Sequence, residues 1–105
     1  VKDNVMSKFT KKDIGKPMVS LVEPSFVLGM AEVLTYGAQK YEIDNWKNAT
    51  NKDIRRIKDS LLRHTLAYTS GILIDEETHL SHSYHAACNL MFLNYLLEKR
   101  RHVES

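Results

Sequence analysis

The sequence predicts an all-α fold, a small domain of about three main helices assembled as an oligomer. Three observations carry the prediction. Apolar residues recur three and four apart in two long segments, the spacing of a half-buried helix. A third segment, residues 86–97, is apolar except for Asn89 and Asn94. Both prolines, Pro17 and Pro24, fall before or at the start of the first segment, outside the helical interiors.

The elements follow in chain order. Residues 1–14 are polar and weakly patterned, and read as an arm that orders only by docking. Residues 15–105 form the single domain expected for a chain of 105 residues. "GKP" at 15–17 is turn punctuation, and "MVSLV" at 18–22 reads as a short extended piece ended by Pro24. The first helix starts near Pro24 and Ser25, with serine as N-cap. Phe26, Val27, Met30, Val33, Leu34 and Tyr41 supply its stripe, and Gly37 marks a close approach or the approaching helix end. A polar loop at 40–51 carries Tyr41 and Trp46.

Thr50, with Asp53 three residues later, is a variant capping box that opens the second helix. Ile54, Ile57, Leu61, His64 and Tyr68 form its stripe, and Gly71 stops it. The connector "ILIDEETHLS" leads to a third helix from about Leu80 to Arg101. A helix apolar on every side needs cover on every side, which predicts a helix from another copy of the chain.

Composition sets outer limits. Apolar residues are 43% and charged residues 27%, as in an ordinary globular domain. A formal charge of +2 is too small to predict duplex nucleic-acid binding. The single cysteine, Cys88, excludes an intramolecular disulfide and reads as a buried thiol. No leader pattern or membrane-length apolar run is evident, so the expectation is a cytoplasmic protein without a membrane partner.

The polar residues of the third helix carry the functional signal. His82, His85 and Asn89 share one helical face, and His64 lies in the stripe of the preceding helix. A helical hairpin would bring the two sets together. Each residue alone also reads as a cap or a satisfied core group. Zinc is one alternative, although the cysteine that zinc sites often use lies on a different face from His85. A phosphate site fits better. Lys16, Lys40, Arg63, His64, His82 and His85 are donors, and Asp75 and Glu77 suit magnesium. Tyr41 and Trp46 offer faces to a base. Near-neutral histidines would strengthen anion binding as pH falls from about 8 to about 6.

"GKP", "SLVEP", "EVLTYGAQKYEIDNW", "LLRHTLAY" and "DEETHLSHSYHAACN" occur in that order over about residues 15–97. Together they resemble the phage and bacterial family of dATP/dGTP diphosphohydrolase N-terminal domains. The resemblance implies a helical fold, a purine deoxynucleotide ligand and a divalent metal, Mg2+ or Mn2+. It matches Gly15, Lys16, Tyr36, Gly37, Lys40, Tyr41, Asn45, Trp46, Arg63, His64, Asp75, His82, His85 and Asn89. On this reading His64, Asp75 and Glu77 are catalytic, with Asp75 and Glu77 holding the metal. Lys16, Lys40, Tyr41, Asn45, Trp46, Arg63, His64, His82, His85 and Asn89 bind nucleotide, and Asn89 orients one histidine. The chain departs from the wider group of all-α nucleoside-triphosphate pyrophosphatases, whose paired helical Glu-x-x-Glu and Glu-x-x-Asp carboxylates it lacks. Two functions follow. One is hydrolysis of a purine deoxynucleoside triphosphate to monophosphate and pyrophosphate. The other is a non-catalytic oligomeric sponge that sequesters cyclic nucleotide immune signals and needs no cofactor.

Overall fold

A computed structural model describes residues 8–104. It is helical, as the periodicity predicts. The main helices are α1 (Pro24–Lys40), α2 (Asn51–Thr69) and α3 (His82–Glu104). Two 3-10 turns, Val19–Leu21 and Asn45–Asn48, precede α1 and α2. No strand occurs among the described residues; Ile74 and Ser81 make one isolated bridge. No helix of the described residues is long and apolar enough to cross a membrane. Half of the expected arm, residues 1–7, lies outside the described residues.

Local chemistry explains each boundary. Pro24 opens α1 because its fixed φ suits a first helical residue and its missing N–H costs nothing there. Glu23, not Ser25, holds the cap position: its carboxylate accepts from the Ser25 amide at 3.4 Å and the Ser25 hydroxyl at 3.1 Å. The expected extended piece at 18–22 is instead a 3-10 turn, with Leu21 N–H on Met18 and Val22 N–H on Val19. So short a segment has no neighbouring strand, and the turn satisfies its backbone locally. Asp53 accepts from both the Thr50 amide and the Thr50 hydroxyl at 3.0 Å, so the capping box forms as predicted. α2 stops before Gly71, whose φ of 95° favours glycine. α3 begins at His82, two residues later than expected, because Ser81 serves as its cap: Ser81 Oγ accepts from the Ser83 amide at 3.1 Å.

α3 is the spine. α2 packs antiparallel along one face of it and α1 packs on another. The compact core sits at one end of the α2–α3 seam, where Ile54, Leu93 and Leu96 are buried against Ala49, Ile57 and Leu61. On the α1 side, Gly29 lies under the Tyr84 ring, which meets Phe26 edge-on at 5.4 Å between centroids. Buried Cys88 donates its thiol hydrogen to the Met30 carbonyl at 3.4 Å, and burial pushes its pKa up to about 11. The expected close approach at Gly37 is absent: among the described residues, no atom beyond its chain neighbours and own helix backbone lies within 4 Å of where its side chain would start. That leaves the nearby end of α1 at Lys40 as the context for this glycine.

Candidate functional site

The α2–α3 seam changes character along its length. Beyond the apolar end, Asn89 donates to Ser60 Oγ at 3.0 Å. Beyond that, His64 of α2 meets His82 and His85 of α3. From Asn89 to His82 is seven residues, roughly 10 Å along the helix. The hairpin that the sequence leaves open in register is thus fixed with His64 opposite the start of α3. Asn89 does not orient a histidine. Its amide ties the two helices together instead.

The histidines form a compact group. His64 Nδ1 and His82 Nδ1 are 2.7 Å apart, so without a cation one carries the proton and the other accepts. The His85 ring stacks on His64 at 4.6 Å with the planes 10° apart. His85 Nε2 is 2.7 Å from Thr78 Oγ1, which in turn donates to Asp75 Oδ2 at 3.2 Å. Burial, then the neighbouring His85 and His82, hold the His64 pKa down, at about 4. Burial also lowers that of His85, although Asp75 pulls the other way. The His64 ring is therefore neutral across pH 6–8, and its protonation adds nothing to anion affinity in that range.

The connector places Asp75. Its Oδ2 accepts from the Glu77 amide at 3.0 Å and the Thr78 amide at 2.9 Å, closing a turn on itself. Asp75 N–H binds Leu80 O at 2.9 Å, and His82 N–H binds Leu73 O at 2.8 Å. Burial works to raise the Asp75 pKa, but the Thr78 hydrogen bonds and the nearby His85 outweigh it, so the carboxyl lies below its ordinary value. Ligand atoms of His64, Asp75 and His82 all lie within 4.8 Å of one another. Two imidazoles and a carboxylate are a donor set that fits a divalent metal.

Glu77, expected beside Asp75 as the other metal ligand, turns to α1. Its Oε2 accepts from the Tyr36 hydroxyl at 3.0 Å and from Lys40 Nζ at 3.3 Å. The Tyr36 hydrogen bond and then Lys40 hold its pKa below the usual carboxylate range. Lys40 is thereby placed in an exposed ion pair. Lys16 is exposed in the turn after Asp13, with its amide on the Asp13 carbonyl.

The remaining expected residues do gather. Tyr41, Asn45, Trp46, Arg63 and Asn89 line one cleft of about 650 Å3 between the 45–48 turn, α2 and α3. Trp46 is not free in it: the ring stacks on Phe92 at 4.6 Å and meets Tyr95 edge-on at 5.1 Å. Arg56, Asp59 and Ser60 also line the cleft and were not expected. Thr78 was missed too, although an Asp three residues before a Thr is a turn signature that "DEET" displays. Another hollow, of about 680 Å3, lies along α1 and reaches Thr78 and Leu80. Its charged wall is Glu32 alone, so it offers a phosphate no cation.

Comparisons with known proteins place the sequence in a family. A family model described as dATP/dGTP diphosphohydrolase, N-terminal, matches residues 6–105. A protein of Salmonella phage PMBT28 named dATP/dGTP diphosphohydrolase is 41% identical over 90 residues. That match covers 86% of this chain but 30% of the relative, so the chain spans under a third of that protein's length. No solved structure matches. The match over nearly all of the chain decides its family: it belongs to the dATP/dGTP diphosphohydrolase N-terminal family.

Proposed function

We propose that this domain binds a purine deoxynucleoside triphosphate along the α2–α3 seam and hydrolyses it to the monophosphate and pyrophosphate. One observation carries the reading. The His64–Asp75–His82 group and a cleft containing two arginines and three aromatic rings lie on the same seam. Arg56 and Arg63 hold phosphate oxygens, and Arg63 directly precedes His64 in α2. Tyr41 and the exposed part of Trp46 cover the base.

The fit of the three-residue group to a divalent cation supports metal dependence. Bound there, such a cation supplies charge neutralisation at the phosphates and a more acidic water. His85, fixed at Nε2 by Thr78 and with burial favouring its neutral form, keeps Nδ1 to accept a proton from the attacking water. Water oxygen bonds to the α-phosphorus, the bond from that phosphorus to its bridging oxygen breaks, and pyrophosphate leaves with that oxygen. The domain acts in a cytoplasm, where such nucleotides occur. It acts as a homo-oligomer: α3 leaves Leu90 58% and Leu97 41% exposed, apolar surface that a second copy would cover.

A non-catalytic sponge for cyclic nucleotides is the second reading. The sequestration of Glu77 by Tyr36 and Lys40 favours it, because one carboxylate then remains beside the histidines. One experiment separates the two. The protein is incubated with dATP, dGTP, ATP, dCTP and cyclic dinucleotides, with and without divalent metal, and the nucleotides are chromatographed. Monophosphate from dATP or dGTP, lost in Arg63→Ala, supports hydrolysis. Intact cyclic nucleotide released only on denaturation supports the sponge. Neither binding nor product refutes both.

A further inference from the structure

Two imidazole nitrogens that face each other inside a helical seam are not explained by packing. His64 Nδ1 and His82 Nδ1 stand 2.7 Å apart and have no other hydrogen bond among the described residues. The third member is equally specific. Asp75 Oδ2 is filled by the Glu77 amide, the Thr78 amide and the Thr78 hydroxyl. Asp75 Oδ1 makes no hydrogen bond among the described residues and is the oxygen left for another partner. These residues come from α2, the connector and the first position of α3, and the fold converges them within 4.8 Å.

We propose that His64 Nδ1, His82 Nδ1 and Asp75 Oδ1 bind a first-row transition-metal dication of the zinc or cobalt kind in preference to magnesium. The proposal rests on reading the seam as a metal-dependent phosphate site, and it names the class of the metal. Magnesium takes oxygen ligands and keeps much of its water, so two nitrogens are a poor offer to it. Imidazole suits zinc, cobalt and iron, whose affinity for nitrogen sites exceeds that of hard cations. Three protein ligands leave a coordination position open, as a catalytic site needs and a structural one does not.

The geometry requires a small adjustment. Two nitrogens on one tetrahedral zinc at about 2.0–2.1 Å lie about 3.3 Å apart. The rings must therefore separate by roughly 0.6 Å, replacing the shared proton with the cation. The support behind the ligands is already built. Thr78 holds the Asp75 carboxylate and His85, and His85 stacks on His64.

The test uses chelator-stripped protein titrated with Co2+, Zn2+ and Mg2+, read by cobalt d–d absorption and by calorimetry. The expected result is one Co2+ per chain, displaced by Zn2+ and not by excess Mg2+. His64→Gln and His82→Gln should each bind Co2+ at least about tenfold more weakly. Thr78→Val, which keeps all three ligands, should lose about 10–100-fold. Glu77→Gln should bind like the unaltered protein. Circular dichroism checks folding, and if one histidine variant does not fold, the other and Thr78→Val decide. Equal competition by Mg2+, or histidine variants that bind Co2+ normally, overturns the proposal. Hydrolysis of dATP by His64→Gln with Mg2+ alone would overturn it while leaving the proposed function intact. A cobalt site with no nucleotide affinity would do the reverse.

Discussion

Gly29→Ala and Gly37→Ala are the same substitution in the same helix, and the structure predicts opposite outcomes. Alanine in a helix interior is favoured over glycine by about 0.8–1.0 kcal/mol. Gly37 has, among the described residues, no atom beyond its chain neighbours and own helix backbone within 4 Å of a new methyl group, so Gly37→Ala should gain up to that amount. A methyl group at Gly29 would overlap Cε2 and Cζ of the Tyr84 ring. That ring cannot simply swing aside, because Phe26 packs edge-on against it. Overpacking of this kind costs roughly 1–3 kcal/mol, which exceeds or cancels the propensity gain. Gly29→Ala should therefore be less stable than Gly37→Ala by about 1–3 kcal/mol. Each kcal/mol moves Tm by about 4–8 °C in a domain of this size. Thermal and urea denaturation of both variants measure the difference. Adding Tyr84→Ala to Gly29→Ala should show strong coupling, with the second change costing less than in the parent. If Gly29→Ala is stabilised as much as Gly37→Ala, the α1–α3 approach described here is wrong.

Trp46→Ala should lower Tm, because each aromatic contact with Phe92 and Tyr95 is worth about 0.5–1.5 kcal/mol beyond buried area. It should also weaken nucleotide binding by about one to two orders of magnitude, and normal affinity in a less stable variant would confine the ring to the core. Thr50→Ala removes half of the α2 capping box and should cost about 0.5–2 kcal/mol, measured in urea. The backbone and then side-chain hydrogen bonds from Thr50 hold the Asp53 pKa below its ordinary value. Its contribution is therefore complete above the ordinary carboxylate pKa and is lost as pH falls through the depressed one. An acid-side Tm curve that Asp53→Asn flattens would show it. Cys88 should resist alkylation in the native protein and react on denaturation, since it is 1% exposed with its pKa raised to about 11; fast native labelling would contradict its burial.

What the sequence reveals and what it hides divide along a physical line. The Thr50–Asp53 cap, the Gly71 stop and the shared face of His82, His85 and Asn89 are readable because each depends on neighbours within about two helical turns. The cover on Trp46 is not, because Phe92 and Tyr95 come from another helix whose register no local pattern records. The close approach fell on Gly29 rather than Gly37 for the same reason: what demands glycine is the Tyr84 ring opposite. His64 was legible as an oddity in an apolar stripe, while its pairing with His82 required the hairpin to close. Glu77 shows a further limit. Its position beside Asp75 suggested a shared role, yet a neighbour in sequence can be drawn away by stronger partners, here Tyr36 and Lys40.

The seam between α2 and α3 has one further consequence. It is closed by hydrocarbon at Ile54 and by hydrogen-bonding rings at His64. The chain itself joins α2 to α3 at the histidine end, through residues 70–81, whereas the Ile54 end is held by packing. An occupant of the histidine end therefore adds its hold to a tether and opposes the local excursions in which the seam parts. At a free concentration one hundred times its dissociation constant, an occupant adds about 2.7 kcal/mol to the stability of the fold. Protection of the α2 amides against hydrogen exchange would then rise from the His64 end backwards, so the order in which amides slow would mark where the occupant holds.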